Sequence, residues 1–355
     1  MQRKLTRQIK IGNVLIGGGA PIAVQSMTNT DTRDIDATVK QIDLLVNEGC
    51  ELIRVAVPDH IAADALGDIR RRITIPLIAD IHFDHTLALK AIANGVDGLR
   101  LNPGNIGEAT KVKEVVKAAR EAKISIRIGV NAGSLNKDIL LKYGGVTAEG
   151  LVESALEHVR ILEELDFLDI KISLKTFEIP LLLEAYRLVS EKVDYPLHIG
   201  VTEAGTPWAG SIRSAVGIGA LLSQGIGDTL RVSLTGDPVE EVRVGFEILK
   251  AIGLRQRGPV IVSCPTCGRT EIKLIRIAQE VEERIKHLKS PIKVAIMGCM
   301  VNGPGEAREA DIGIAGGRGV GLLFKKGQVV KKIPETDLVG ELVKEIELMV
   351  KEEGN

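Results

Sequence analysis

LIADIHFDHTLALKAIANGVDGLRLNPGNIGEATKVKEVVKAAREAKISIRIGV, residues 77–130, repeats one pattern: a short apolar run, a turn, a helical stretch, then an apolar run again. LIADI (77–81), GLRL (98–101) and SIRIGV (125–130) have the length and β-branched content of buried strands, and 109–122 carries apolar residues at helical spacing. Working outward, the alternation extends from residue 22 to about 252. It predicts strands at 22–26, 51–55, 77–81, 98–101, 125–130, 168–172, 197–201 and 229–233, each followed by a helical pattern such as that of 148–165. Eight β-then-α units in succession are the form of a (β/α)8 TIM barrel. An open doubly wound sheet alternates similarly. The barrel is the better reading, because the count stops at eight and no glycine fingerprint for a dinucleotide follows any strand. GIGALL at 217–222 lacks the third glycine, and no GxxxxGK[ST] loop occurs.

Past Gly253 the pattern changes. LRQRGP reads as a linker, followed by a strand at 260–263, the knuckle CPTCG, a helix over 271–288 and a strand at 293–297. The loop GCMVNGPGEA, two short strands around Ile312 and over 321–324, and a helix near 338–351 complete a small α+β domain. The expected domains are 1–255 and 256–355, consistent with 355 residues being too many for one small core.

Composition narrows the function. Hydrophobic residues are 45% and charged residues 26%, which excludes disorder. A net charge of −1 and only 3% aromatics argue against a nucleic-acid binder, which needs a basic face and stacking platforms. The longest uncharged run, 11–30, is broken by four glycines and a proline, so no membrane span is expected. The basic start has no signal-peptide core behind it, which points to a cytoplasmic chain. Four cysteines do not make a secreted disulfide framework.

In a (β/α)8 barrel the active site is built at the carboxyl ends of the strands. Those ends read Gln25 and Ser26, Arg54, Asp80 and His82, Arg100 and Asn102, Arg127 with Asn131 beyond it, Lys171 and Ser173, Glu203, and Arg231 with Ser233. Arg54, Arg100, Arg127, Lys171 and Arg231 would converge on one mouth. Like charges so placed repel unless an anion offsets them, and guanidinium forks match phosphate oxygens two at a time. A diphosphate-sized ligand follows. The competing arrangement pairs each arginine with a rim carboxylate, but only Asp80 and Glu203 stand at strand ends. Surrounding cations should hold those two ionised unless burial opposes it. His82 is placed either to shuttle a proton or to serve the structure. Gly129 and Gly200 would let a ligand approach the backbone closely.

Cys264 and Cys267 share one tight knuckle, and Cys299 sits in a second Gly/Pro loop after another strand. Three thiolates leave a coordination position open. The spacing suits a 4Fe-4S cluster with one labile iron, or a zinc ion on a barrel resembling the pterin-binding transferases. Glu306, on the NGPGE turn, is the nearest oxygen ligand if it is not simply an exposed turn residue. Cys50, in NEGCELI, reads as a buried small residue.

LNPGN (101–105), RIGVNAGSL (127–135), GVTEAG (200–205), SCPTCGR (263–269) and MGCMVNGPGEA (297–307) stand in order over nearly the whole chain. In these segments the chain resembles the 4-hydroxy-3-methylbut-2-enyl diphosphate synthase family, in its short two-domain bacterial form. The resemblance implies a TIM barrel joined to a small domain holding one 4Fe-4S cluster, with Cys264, Cys267, Cys299 and Glu306 as its ligands. It implies reductive ring opening and dehydration of 2-C-methyl-D-erythritol 2,4-cyclodiphosphate in non-mevalonate isoprenoid biosynthesis, using two electrons from reduced flavodoxin or ferredoxin. It also implies a cytoplasmic homodimer in which one chain's cluster domain closes over the partner's barrel mouth. On this reading Arg54, Arg100, Asn102, Arg127, Asn131, Lys171, Ser173, Arg231 and Ser233 bind substrate. Glu203, with Asp80 and His82 behind it, handles protons near the departing hydroxyl.

Overall fold

Period-two alternation builds the first of two units, Met1–Arg255 and Gln256–Asn355. The structure is a computed structural model that describes residues 2–300 and 308–353. A hairpin of β1 (Ile9–Ile11) and β2 (Val14–Ile16) precedes eight parallel strands. These are β3 (Ala23–Met27), β4 (Leu52–Ala56), β5 (Leu77–Asp80), β6 (Gly98–Arg100), β7 (Ser125–Asn131), β8 (Ile170–Lys175), β9 (His198–Ile199) and β10 (Thr229–Leu230). Their order is β8-β7-β6-β5-β4-β3-β10-β9, and a bridge from Ile172 to Leu197 closes the ring. This is the (β/α)8 barrel that the alternation requires.

Around it run α1 (Ile35–Glu48), α2 (His60–Arg72), α3 (His85–Ala93), α4 (Ala109–Ala122), α5 (Lys137–Tyr143), α6 (Ala148–Glu163), α7 (Ile179–Lys192), α8 (Pro207–Ser223) and α9 (Pro238–Ala251). Their starts are chemically marked: the Asp34, Asp59 and Thr147 side chains accept from the backbone N–H of Ala37, Ala62 and Gly150. Each helix turns an apolar stripe inward, as Val112, Val115, Val116 and Ala119 do on α4. The outward residues of the strands, among them Ile53, Val55, Ala79, Leu99, Ile126, Ile128 and Ile172, pack into that layer.

The inward residues divide by height. At the amino ends Ala23, Leu52 and Ile78 pack on Ile9, Ile11 and Ile16, so the hairpin closes the barrel floor with an apolar plug. The sequence reading missed this hairpin, treating 11–30 only as a glycine-broken run. Gly12, at φ 57°, makes the tight turn that joins its strands. The sixth barrel strand also differs: 168–172 was expected, and β8 runs Ile170–Lys175. Its ladder with β7 continues from Ile126↔Ile170 to Asn131↔Lys175.

The second unit is a sheet of β11 (Val260–Ser263), β12 (Lys293–Met297), β13 (Ile312–Gly317), β14 (Val320–Lys325) and β15 (Gln328–Pro334), paired in that order. The first three strands are parallel and the last three antiparallel. α10 (Leu274–Ile285) and α11 (Leu338–Glu353) cover one face through Leu274, Ile277, Val281, Leu338, Leu342 and Ile346. β15 exceeds the two short strands expected after the Gly/Pro loop. Its residues 328–332 are all exposed, so no apolar alternation betrays it. Among the described residues no helix is long and apolar enough to cross a membrane.

Candidate active site

Strand register sets the charges in a row. Asp80 pairs with Arg100, Arg100 with Arg127, and Arg127 with Lys171, across β5, β6, β7 and β8. Being opposite one another in a parallel ladder, these four side chains leave the sheet at one height and on its inner face. Arg100, Arg127 and Lys171 are 7%, 4% and 1% exposed, so three cations are nearly dry. Burial lowers the pKa of Arg127 well below the guanidinium norm, and Arg54 and Arg100 push it further. Lys171 is lowered likewise, by burial first and then by Arg127 and Arg54.

One carboxylate stands at the β5 end of the row. Asp80 takes Arg100 Nη1 at 3.2 Å and Arg54 Nε at 3.7 Å. Burial alone would raise its pKa, but Arg54, His82, Arg100 and Arg127 outweigh this and hold it well below the usual carboxylate range. Arg54 is brought to about 10, mainly by burial. Arg100 crosses over β7 to donate to the Gly129 carbonyl at 2.9 Å, and Asn102 bonds Gly129 through both its backbone groups. A Cβ on Gly129 would stand 2.6 Å from Arg100 Nε. The space at that glycine is filled by this chain's own arginine. At Gly200 a Cβ would run into the Arg231 backbone carbonyl first and would also meet Lys175 Nζ at 2.9 Å. Arg127 Nη1 donates to Ser173 Oγ at 2.8 Å.

The seam between β10 and β3 carries the other end of the cluster. Arg231 pairs with Glu241 at 3.2 Å, and Arg54 and Arg231 both donate to Met27 Sδ, at distances from 2.9 to 3.6 Å. His82 is half exposed, with both ring nitrogens 3.2 Å from Arg100 Nη1. Asn131 and Ser233 are half-buried at their strand ends. Glu203 is exposed, and its backbone is left-handed at φ 55°. The structure thus gathers Arg54, Asp80, Arg100, Asn102, Arg127, Lys171, Ser173 and Arg231, while Glu203 stands at the solvent edge.

Three residues escaped the sequence reading. Lys175, buried and lowered by burial and then Arg231, Arg127 and Arg54, follows Lys171 and Ser173 at the same parity. It was missed because the strand was ended too early. His198, fully buried on β9 with Nδ1 2.8 Å from Thr229 Oγ1, shares the parity of Gly200. Glu241 lies on α9, where no strand-end rule looks. Among the described residues six cations then face Asp80 and Glu241, with a third buried carboxylate, Asp228, already paired with Arg3 at 3.2 Å. Such a layer is costly without an anion.

On the second unit the cysteines follow two adjacent parallel strands. Ser263 of β11 pairs with Ile296 of β12, so Cys264 and Cys299 leave the same sheet edge. Gly298 N–H donates to Cys264 Sγ at 3.2 Å, and Glu271 N–H donates to the Gly298 carbonyl at 2.9 Å. Cys267 is exposed and its thiol is lowered, first by a backbone hydrogen bond from Arg269. All four cysteines are free, and Cys50 is buried in the barrel layer with its thiol pushed up to about 12. Among the described residues no three His, Cys, Asp or Glu side chains converge closely enough to hold one metal ion. Glu306 lies outside the described residues. The donor set still suits iron–sulfur ligation: soft thiols, one lowered toward thiolate and one accepting a backbone N–H, in the segments that follow two neighbouring strands.

Comparison with known proteins bears on both units. Solved structures similar to the barrel include a dihydropteroate synthase from Stenotrophomonas maltophilia, with a TM-score of 0.52 and 15% identity over 70% of this chain and 98% of that one. A 3-dehydroquinate dehydratase from Geobacillus kaustophilus gives 0.51 and 14% over 70% and 99%. At such identity the likeness is one of fold alone. Curated relatives are far nearer. The 4-hydroxy-3-methylbut-2-en-1-yl diphosphate synthase (flavodoxin) of Geobacter sulfurreducens is 64% identical over 98% of each chain. The protein of the same name from Caldanaerobacter subterraneus subsp. tengcongensis is 64% identical over 99% of each. The GcpE TIM-barrel domain matches residues 6–246 and the GcpE C-terminal domain residues 260–348. Two family domains in order, with relatives alike from end to end, make this chain a member of the GcpE family.

Proposed function

We propose that this chain is a 4-hydroxy-3-methylbut-2-enyl diphosphate synthase: it opens 2-C-methyl-D-erythritol 2,4-cyclodiphosphate reductively to the linear allylic diphosphate, taking up two electrons and releasing one oxygen as water. The observation that carries the reading is the row of buried cations on β6, β7 and β8, joined by Arg54, Lys175 and Arg231, which a ligand with two phosphates would neutralise. The names of the relatives supply the substrate and the flavodoxin donor.

Arg54, Arg100 and Arg127 are the forks that hold the diphosphate oxygens. Opening the ring leaves a further negative charge on the diphosphate as its oxygen departs from carbon. Cations already fixed by Asp80, Gly129 and Ser173 stabilise that charge without rearranging. Asp80, held ionised, orients arginines and is a poor proton donor. His82 and Glu203, the more exposed groups near the mouth, are the candidates for delivering protons to the leaving hydroxyl. A 4Fe-4S cluster held by Cys264, Cys267 and Cys299, with Glu306 as fourth ligand, would supply single electrons and a Lewis-acidic iron. The zinc transferase alternative is not favoured, since the family covers both units of the chain. The reading includes a cytoplasmic homodimer and accepts reduced ferredoxin as a second donor.

The test is anaerobic reconstitution with iron and sulfide, followed by turnover of the cyclic diphosphate with reduced flavodoxin. Linear diphosphate should form, and Glu306→Ala should lower iron content or rate while the barrel stays folded. Stoichiometric zinc without sulfide, or no product from an iron-replete protein, would refute the assignment.

A further inference from the structure

Among the described residues Glu241 is the one buried carboxylate near the mouth that the reaction leaves without a role. It sits on α9, outside the strand-end register, and is 4% exposed. Its two oxygens accept four polar hydrogens' worth of contact: Arg231 Nε to Oε2 at 3.3 Å, Arg231 Nη2 to Oε1 and Oε2 at 3.3 and 3.2 Å, and the Leu234 backbone N–H to Oε1 at 3.0 Å. Ser26 Oγ, on β3, lies 3.5 Å from Oε2. One side chain therefore clamps the guanidinium that follows β10, the loop behind it, and the neighbouring strand across the barrel seam.

What the clamp leaves free is informative. With Nε and Nη2 on Glu241, Arg231 turns Nη1 toward Met27 Sδ at 3.6 Å. Arg54 donates to the same sulfur from Nε and Nη2 at 3.2 and 2.9 Å. A thioether is a weak acceptor. It separates two like charges without neutralising either, and Nη1 of Arg231 stays outside the ion pair with Glu241.

We propose that Glu241 is a positioning residue for the diphosphate site, holding Arg231 at a set distance from Arg54 so that the two guanidiniums grip one phosphate group together. The inference rests on the diphosphate reading above and adds a role for a helix residue that touches no substrate.

The test is a double-mutant cycle on the reconstituted enzyme, read by calorimetric binding of inorganic diphosphate and by the KM and kcat for the cyclic diphosphate. Glu241→Gln keeps the shape and loses the charge; Glu241→Asp keeps the charge and loses the reach. Each should weaken diphosphate binding and raise KM about tenfold, the loss of roughly one charge-assisted contact, with kcat changed far less. In an Arg231→Ala background Glu241→Gln should weaken diphosphate binding no further, because the guanidinium that Glu241 positions is gone. Tighter binding by Glu241→Gln, the result of simply removing a negative charge from a cationic mouth, would overturn the proposal. So would additive effects in the cycle, or failure of both Glu241 variants to fold, either of which assigns Glu241 to the framework. A wild-type protein that binds no diphosphate would instead bring down the diphosphate reading, and this inference with it.

Discussion

The floor and the mouth of the barrel are lined by the same strands and obey opposite rules. Ala23, Leu52 and Ile78 point into a dry plug with Ile9, Ile11 and Ile16. Two residues further along β4, β5 and β3 the inward positions are Arg54, Asp80 and Gln25, and the row continues through Arg100, Arg127 and Lys171. A barrel interior is ordinarily filled by bulky branched side chains in every layer. Here only the lower layer is. The lower half supplies stability; the upper half gives some of it up to keep unneutralised cations in place, since buried charge without an equal partner destabilises.

That division can be broken most forcefully at Arg127. Replacing it with Met keeps most of the volume and removes a nearly dry charge whose neighbours are mostly cations. The expected outcome is a fall in kcat/KM for the cyclic diphosphate on the order of a thousandfold, with a thermal midpoint equal to or above wild type. A large drop in the midpoint would mean that Arg127 holds the barrel together, and the two halves would not differ in kind.

Ile11→Ala probes the floor in the opposite sense. Ile11 is 1% exposed among apolar neighbours, so its truncation should cost about 2–4 kcal/mol in denaturant unfolding of the barrel. Turnover by the folded fraction should stay within about twofold, because the reacting end lies at the other ends of the strands. A severalfold change in KM at full folding would show that the plug communicates with the mouth.

The legibility of the two halves in the sequence differed for the same physical reason that separates them. Charged residues inside strands are conspicuous: ELIRV, GLRL and SIRIGV each carry an arginine where a buried strand should be apolar, and the period of two aims them inward. The floor is invisible by comparison, because Ile9, Ile11 and Ile16 look like any apolar residues and only three-dimensional closure reveals what they plug. Lys175 was lost to a strand ended early, although Lys171, Ser173 and Lys175 continue one parity. Glu241 was unreadable: it follows the N-cap of a helix, where acidic residues are common for local reasons, and its partner Arg231 lies across a turn. On the second unit the cysteines were plain from their spacing, whereas β15 shows the solvent five exposed residues and no pattern.

Lys171 sharpens the comparison with the smallest effect. Its ammonium is 1% exposed; burial, then Arg127 and Arg54, lower its pKa well below 10.5, and only Asp228 opposes them. Between the lowered value and 10.5 the unfolded chain binds a proton at this lysine that the folded chain does not. Stability must therefore rise with pH across that window, and the penalty is complete below it. Lys171→Met removes the proton from both states. Thermal melts of the diphosphate-free proteins should find the variant more stable than wild type near neutral pH, with the gap narrowing as pH approaches 10.5. Saturating inorganic diphosphate should shrink the gap from the other side, by stabilising the charged lysine in the wild type alone. A gap independent of pH, or a wild type more stable at neutrality, would mean that Lys171 is matched by charge where it lies. The upper layer would then be as self-sufficient as the floor beneath it.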